Sequence, residues 1–276
     1  MINETFDFQR FGKYFKYDLK QLWHNNGKAA ILLGFISVLC YIIWVVGSLV
    51  FTGQWQAPGL GARFTFFIVG SIILMFYQTR TYGYLTEKQP GQAWLMIPAS
   101  TLEKFISMMI LTIVLIPVAY IGSYAVLDGI IALLDPTAGR ALVTGVGSVN
   151  DFFSEAMSAA NEEGLQFNFG MLALPMVIQT IGNLLYFLLC GICFRKWKIA
   201  GGLAISIGLS LVLTPIFSLF VSNTWSPMLA AYGEVDDPSI ILDFLNKALS
   251  WGTAFDIVLA IGLAIGIYYR IKTLKR

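Results

Sequence analysis

The chain has 276 residues, of which 57% are hydrophobic and only 12% are charged. Soluble domains carry about twice this share of charge, and a soluble domain of this length has too little interior to bury so many apolar side chains. With a mean hydropathy of +0.71, the composition excludes an ordinary soluble protein. The net charge of +2 does not indicate the strongly basic surface that nucleic-acid binding requires. We therefore expect a lipid bilayer as the solvent of this chain.

Six apolar segments predict an all-α polytopic membrane protein with about six transmembrane helices. A spanning helix needs about 20 mostly apolar residues, and the second segment is the shortest of the six. Residues 1–28 are expected to form a cytoplasmic amphipathic elbow helix, followed by a six-helix transmembrane domain over residues 29–276. We expect large outer loops at residues 135–170 and 222–252. The predicted spans cover residues 29–52, 64–79, 105–134, 171–194, 199–221 and 253–269.

Basic residues are distributed unequally between the predicted loops. Only three of the 18, namely Arg63, Arg140 and Lys247, fall in outer segments when the N-terminus is placed inside. The positive-inside rule then predicts a multi-pass protein with both termini cytoplasmic, and we expect the bacterial inner membrane. Arg63 lies at the outer end of the second segment and is expected to snorkel to the bilayer surface. Asp128, near the outer end of the third segment, is expected to reach water.

The stretch before the first span has an amphipathic pattern. Its aromatic and aliphatic residues recur at steps of three and four, while basic residues occupy the other faces. Such a pattern predicts a helix lying in the membrane interface. It is typical both of a plain topological anchor and of an elbow helix that links the first span to a cytoplasmic partner. The apolar residues are Phe8, Phe11, Phe15, Leu19 and Leu22, and the basic ones are Arg10, Lys13, Lys16 and Lys20.

The predicted inner loop between the second and third spans contains a short apolar cluster. Residues 94–97 form this cluster, and Pro98 follows it. The next residues include Ser100 and Glu103, whose spacing is that of a capping box at the start of the third helix. A short rigid element of this kind can dock into a cleft on another protein. It is also typical of a loop that lies on the membrane surface, and the two interpretations stay open.

The segment Leu95-Met-Ile-Pro98-Ala-Ser100-Thr-Leu-Glu103-Lys104-Phe105 resembles a signature of ABC-type exporter permease subunits of the six-helix, type-two ABC membrane family. In that family a Leu-x-x-Pro-x-Ser-x-x-Glu-Lys segment follows the second span. Residues 11–19 also resemble the family's helix before the first span. The resemblance implies a permease subunit of an ATP-driven exporter, paired with a second permease subunit in a homo- or heterodimer. It implies that a cytoplasmic ABC ATPase contacts Phe11, Phe15, Leu19, Leu22, Trp94, Leu95, Pro98, Ser100, Glu103 and Lys104.

The chain contains no G-x-x-x-x-G-K-[ST] phosphate loop, the motif that cradles nucleotide phosphates. We therefore expect a chain that is not an enzyme and holds no cofactor, with ATP bound and hydrolysed by the partner ATPase. No metal site is expected, since His24 is the sole histidine. Cys190 and Cys193 are interpreted as small packing residues. The alternative function is a non-transporting membrane scaffold or sensor with a cytoplasmic partner.

The fourth predicted span carries a polar stripe. Gln179 and Asn183 lie four residues apart, so they share one helix face, and Tyr186 continues the same stripe. Polar groups within a span face other helices or a water-filled path. The stripe therefore predicts either hydrogen bonds between helices or part of a transport path, and the sequence leaves both open.

Overall fold

The computed structural model describes residues 6–144, 169–224 and 238–274. All regular elements within these ranges are helices, which confirms the predicted all-α polytopic fold. Two 3-10 turns, Gly83–Thr86 and Pro136–Ala138, connect them. In chain order the α-helices are α1 Phe8–Gly34, α2 Ile36–Thr52, α3 Leu60–Thr81, α4 Lys88–Met96, α5 Thr101–Leu134, α6 Phe169–Cys193, α7 Lys198–Thr224 and α8 Pro238–Leu274.

Five helices in the described ranges, namely α3, α5, α6, α7 and α8, are long and apolar enough to cross a membrane. A sixth span is formed if α1 and α2, which meet at a bend of 43°, are counted as one. The bend lies at Phe35, so α1 continues past residue 28, where the predicted elbow helix ends. Helix α8 begins at Pro238, well before the predicted last span. Residues 145–168 of the first predicted outer loop and residues 225–237 of the second lie outside the described residues, and residues 238–252 of the second belong to α8 instead of a loop.

Helices α3 and α5 run antiparallel and contact each other along their length. Near the middle, the Tyr120 hydroxyl of α5 donates to the Phe67 carbonyl of α3 at 2.9 Å. We call the end of the bundle at which α4 follows α3 the α4 end, and the other the opposite end. Helix α6 packs between α3, α7 and α8. By contrast, only 6% of the apolar stretch Lys198–Pro215 of α7 is buried. The apolar side chains of α7 therefore lie on the surface of the bundle.

Helix α5 contains one π-helical turn, Ile110–Leu115, just before Pro117. Proline has no N–H to donate to the carbonyl four residues earlier, and its ring crowds the preceding turn. A wide turn at this point relieves the crowding. Gln78 of α3 stabilises it, because its Nε2 donates to the Thr112 carbonyl at 3.0 Å in a buried position. The winding of α5 thus changes within the membrane.

A buried ion pair joins α3 and α5 at the opposite end. Arg63 Nη1 lies 3.1 Å from Asp128 Oδ1, and both side chains are at most 3% exposed. Arg63 Nη2 also donates to the carbonyls of Ala138 and Arg140, and Asp128 Oδ2 accepts from the Leu142 N–H. The expectations that Arg63 snorkels and that Asp128 reaches water are therefore wrong. The two charges neutralise each other inside the protein instead.

Asp135 fixes the turn that follows α5. Its carboxylate accepts hydrogen bonds from Thr137, from the Tyr41 hydroxyl and from Trp55 Nε1. Hydrogen bonds from Thr137, and then from Tyr41, hold the pKa of this carboxyl well below its usual range. Tyr41 lies on α2 and Trp55 on the link to α3, so the opposite end is connected through α2, α3 and α5.

Gly191 of α6 provides a test of the close packing between α6 and α3. A Cβ atom at Gly191 would lie 2.5 Å from the Thr79 carbonyl oxygen and 2.9 Å from its Cα. Because backbone cannot move aside cheaply, we expect Gly191→Ala to lower the free energy of unfolding by about 1–3 kcal/mol. The measurement is the Tm of the purified chain in detergent.

The matched control is Gly182→Ala on the same helix, where a Cβ would meet nothing within 4 Å. Alanine favours a helix over glycine by about 1 kcal/mol, so this variant should be as stable as the wild type or slightly more stable. Equal losses of Tm in the two variants would contradict the packing of α6 on α3.

Candidate functional site

Helix α1 carries three polar side chains at steps of four: Arg10, Tyr14 and Asp18. With about 3.6 residues per helical turn, residues spaced in this way share one face. All three form hydrogen bonds with residues of α4, of α5 or of the connection between α3 and α4. We call this cluster of contacts, at the α4 end, the polar joint.

Glu103 of α5 is the centre of the first contact and is fully buried. Arg10 Nε lies 3.0 and 2.9 Å from its two carboxylate oxygens, and Arg10 Nη2 lies 2.6 Å from Oε1. The backbone N–H groups of Asp7 and Ser100 also donate to this carboxylate. Charged hydrogen bonds of this kind offset the cost of removing a carboxylate from water.

The predicted capping box at the start of α5 is confirmed. Ser100 Oγ accepts from the Glu103 N–H at 3.2 Å, and the Glu103 side chain accepts from the Ser100 N–H at 2.9 Å. Glu103 therefore has two roles. Its carboxylate accepts a hydrogen bond from the Ser100 N–H, which caps the start of α5, and it also pairs with Arg10. The start of α5 and the start of α1 are thereby connected through a single side chain.

The second contact connects α4 to both α1 and α5. Trp94 Nε1 donates to Tyr14 Oη at 3.0 Å, and both side chains are buried. Lys104 Nζ donates to the Trp94 carbonyl at 2.9 Å and lies 4.5 Å from the centroid of its ring. An ammonium at this distance from an indole face is attracted by its π electrons. Trp94 thus fixes the last turn of α4 in place.

The third contact is made by Asp18, which is 2% exposed. Its Oδ2 accepts from the Tyr82 hydroxyl and from Ser107 Oγ, each at 2.6 Å. Tyr82 directly follows α3, and Ser107 lies two turns into α5. One carboxylate, on the last residue of the α1 stripe, therefore connects α1 to the end of α3 and to the first turns of α5.

The residues expected to contact an ATPase fall into two groups. Five of them are buried, and four of these, all except Leu22, take part in the contacts of the polar joint. The other five are accessible in part or fully. Their neighbours Phe8 and Met96 are 81% and 83% exposed. The buried group is Leu22, Trp94, Ser100, Glu103 and Lys104, and the accessible group is Phe11, Phe15, Leu19, Leu95 and Pro98.

The buried group can act on a partner only by positioning the elements around it, whereas the accessible group and its two neighbours can touch a partner directly. Contact with an ATPase stays a prediction for both groups. Four residues of the polar joint are not among those predicted from the sequence: Tyr14, Asp18, Tyr82 and Ser107. A signal was present, because the α1 stripe repeats at steps of four and includes an acid among basic residues.

The polar stripe of α6 makes one defined contact. The Tyr186 hydroxyl donates to the Gly202 carbonyl of α7 at 2.7 Å, which favours its interpretation as a helix–helix contact. Asn183 is half-buried, and Gln179 is exposed. Cys190 packs on Gly202, since a Cβ atom added at Gly202 would lie 3.2 Å from the Sγ of Cys190. A transport path along this stripe stays a prediction.

Comparison of the chain with family models, curated proteins and solved structures finds no match. A functional interpretation of this chain therefore depends on two observations. One is the local resemblance of residues 95–105, and the other is the set of buried contacts that these residues make at the α4 end.

Asp18 provides a test of the polar joint. Asp18→Ala removes the acceptor of two buried hydroxyls, and each unsatisfied buried group costs about 1–3 kcal/mol. We expect a clear loss of Tm in the purified chain. Replacing all partners together is nearly neutral in principle, so the triple variant Asp18→Ala, Tyr82→Phe, Ser107→Ala should regain part of that loss. A single variant as stable as the wild type would contradict the importance of this contact.

Proposed function

We propose that the chain is the membrane-spanning permease subunit of an ABC-type, ATP-driven exporter, coupled to a separate cytoplasmic ATPase. One observation carries the proposal. The segment that resembles the family signature folds as the end of α4 and the capped start of α5, and buried polar contacts join it to α1. A displacement of α4 would therefore reach two membrane helices through direct contacts.

Two irregular positions would absorb such a displacement. Helix α1 leads to the 43° bend at Phe35, and α5 leads to the π-helical turn Ile110–Leu115. Both lie between the polar joint and the opposite end, where Arg63 and Asp128 hold α3 to α5. Bends and π turns are positions at which helices change direction. In the proposed cycle the α4 end moves as a unit and these two positions change shape.

The accessible apolar side chains around the polar joint suit a protein partner. Phe8 and Met96 are more than four-fifths exposed, and Pro98, two residues after Met96, is also exposed. Apolar anchors of this kind dominate the affinity of protein interfaces. With most lysine and arginine residues at the same end, this end would face the cytoplasm of a bacterial cell, where an ATPase is available.

A second permease subunit would complete the transporter. Helix α7 is the least buried span, and the small residues Ala204 and Gly208, four residues apart, are exposed on it. Small residues let helices of two subunits approach closely within a membrane. In the proposed assembly the face of α7 that carries Ala204 and Gly208 borders the partner permease, in a homo- or heterodimer.

The proposal is tested by capture of the ATPase. The tagged chain, solubilised from the membranes of its native cell, is expected to retain an ATPase with a phosphate loop, identified by mass spectrometry. Met96→Ser should reduce this retention about tenfold, the equivalent of about 1.4 kcal/mol of binding free energy. Its Tm should not change, because Met96 is 83% exposed.

The matched control is Leu133→Ser, which alters an apolar side chain that is 86% exposed at the opposite end. It should retain the ATPase as the wild type does. Equal loss in both variants, or no ATPase with the wild-type chain, would contradict the proposal. An ATPase that binds without ATP-dependent export in reconstituted vesicles would favour the scaffold or sensor instead.

A further inference from the structure

A cavity of about 440 Å³ lies beside the start of α7, at the α4 end of the bundle. Three elements contribute to its wall: the last turn of α3, the connection between α6 and α7, and the first turns of α7. The wall combines cations with apolar side chains. It includes Arg80, Arg195, Trp197, Lys198, Ile199 and Leu203.

The charges of this cavity select an anion. No acidic side chain lines it among the described residues. Lys198 already donates to the Gly83 carbonyl at 2.6 Å and lies 3.9 Å from Glu87. By contrast, the exposed Arg80 and Arg195 have no ion-pair partner within the part of the chain that the structure describes. A guanidinium group presents a planar fork of donors that matches the oxygens of a phosphate.

The start of α7 adds further donors. Its first hydrogen bond runs from the Gly201 N–H to the Trp197 carbonyl at 2.6 Å. The N–H groups of the preceding residues therefore have no intrahelical acceptor, and the helix dipole favours a negative charge at this point. Ile199 and Ala200, which provide two of these N–H groups, line the cavity.

The apolar part of the wall indicates that the anion belongs to a lipid. Ile199 and Leu203 are each 36% exposed, and α7 continues from them as the least buried span. The cavity thus opens directly onto the exposed apolar surface of α7. A soluble phosphate would leave this apolar wall unused.

Trp197 marks the level of the headgroups. Its side chain is 81% exposed, and its backbone has a φ of 58°, which is rare for a bulky residue. Tryptophan is enriched at the boundary between acyl chains and water. Trp197 therefore lies where a lipid would pass from its phosphate, next to the arginines, to its acyl chains, next to Leu203.

We propose that this cavity binds an anionic membrane lipid, with its phosphate between Arg80 and Arg195 and an acyl chain along Ile199 and Leu203. Basic pockets between transmembrane helices recognise lipid headgroups in this way. The site is separate from the polar joint, and binding there does not depend on an ATPase. Lys198 connects the cavity to the turn before α4, so a bound lipid would adjoin the segment proposed to move.

The test uses the purified full chain in neutral detergent, titrated with phosphatidylglycerol, and records Tm. A ligand that binds the folded state raises Tm, and we expect a rise of several degrees. Phosphatidylcholine with the same acyl chains should give a much smaller rise. The variant Arg80→Gln, Arg195→Gln should bind phosphatidylglycerol at least tenfold more weakly.

The control variant is Lys20→Gln, Lys272→Gln, which removes two exposed cations that do not line the cavity. It should bind as the wild type does. Equal weakening in both variants would overturn the proposal in favour of general attraction. Equal Tm shifts with inorganic phosphate or glycerol 3-phosphate would overturn the assignment to a lipid, as would equal binding of the two lipids.

A second measurement needs no arginine substitution. Phosphatidylglycerol with brominated acyl chains should quench the tryptophan fluorescence of the wild type more strongly than that of Trp197→Phe. Brominated phosphatidylcholine should show little difference between the two proteins. Equal quenching of wild type and Trp197→Phe by brominated phosphatidylglycerol would place the lipid elsewhere and overturn the proposal.

Discussion

A buried carboxylate must be paired, and Glu103 imposes this constraint on the whole α4 end. Leaving such a charge without a partner costs several kcal/mol. The side chain is fully buried, and it receives Arg10 together with the N–H groups of Asp7 and Ser100. These donors come from α1 and from the start of α5, so the carboxylate is satisfied only when both helices are in place. The Arg10–Glu103 pair mainly fixes the orientation of α1 relative to α5, because a buried ion pair adds little to the net stability of the fold.

The ion pairs that join helices lie at the two ends of the bundle, and the centre is held mainly by apolar packing. At the opposite end the Arg63–Asp128 pair and the hydrogen bonds of Asp135 fix α2, α3 and α5. Between the ends, the bend at Phe35 and the π turn of α5 are the departures from regular helix. A helical bundle that is held at both ends and irregular in the middle is suited to transmit a displacement. This arrangement supports the proposed coupling to an ATPase, and the proposed lipid site adjoins the segment that is proposed to move.

Much of the fold follows from the sequence, because apolar length and the capping pattern at Ser100 are local signals. The polar joint does not follow in the same way. Asp18 reaches Tyr82 and Ser107, which are 64 and 89 residues away, and periodicity alone does not tell which face of α1 turns inward. The predictions for Arg63 and Asp128 are wrong for a related reason, since the pattern of one span does not show that an opposite charge on another span pairs with it. The bend at Phe35 directly follows Gly34, but a single glycine within an apolar segment does not by itself predict a bend.

Hydrogen exchange of the chain in lipid nanodiscs tests the central claim, that α1, α4 and α5 form one unit. Segments of a cooperative unit open together and exchange with a common free energy. The decisive variant is Glu103→Ala. The Glu103 side chain contacts Arg10 of α1 directly, whereas its loss affects α4 only through the other contacts of the polar joint. The expected result is faster exchange of residues 8–22 and of residues 88–96 by a similar factor, with α6 unchanged. Faster exchange confined to the start of α1, with α4 as protected as in the wild type, would contradict the claim.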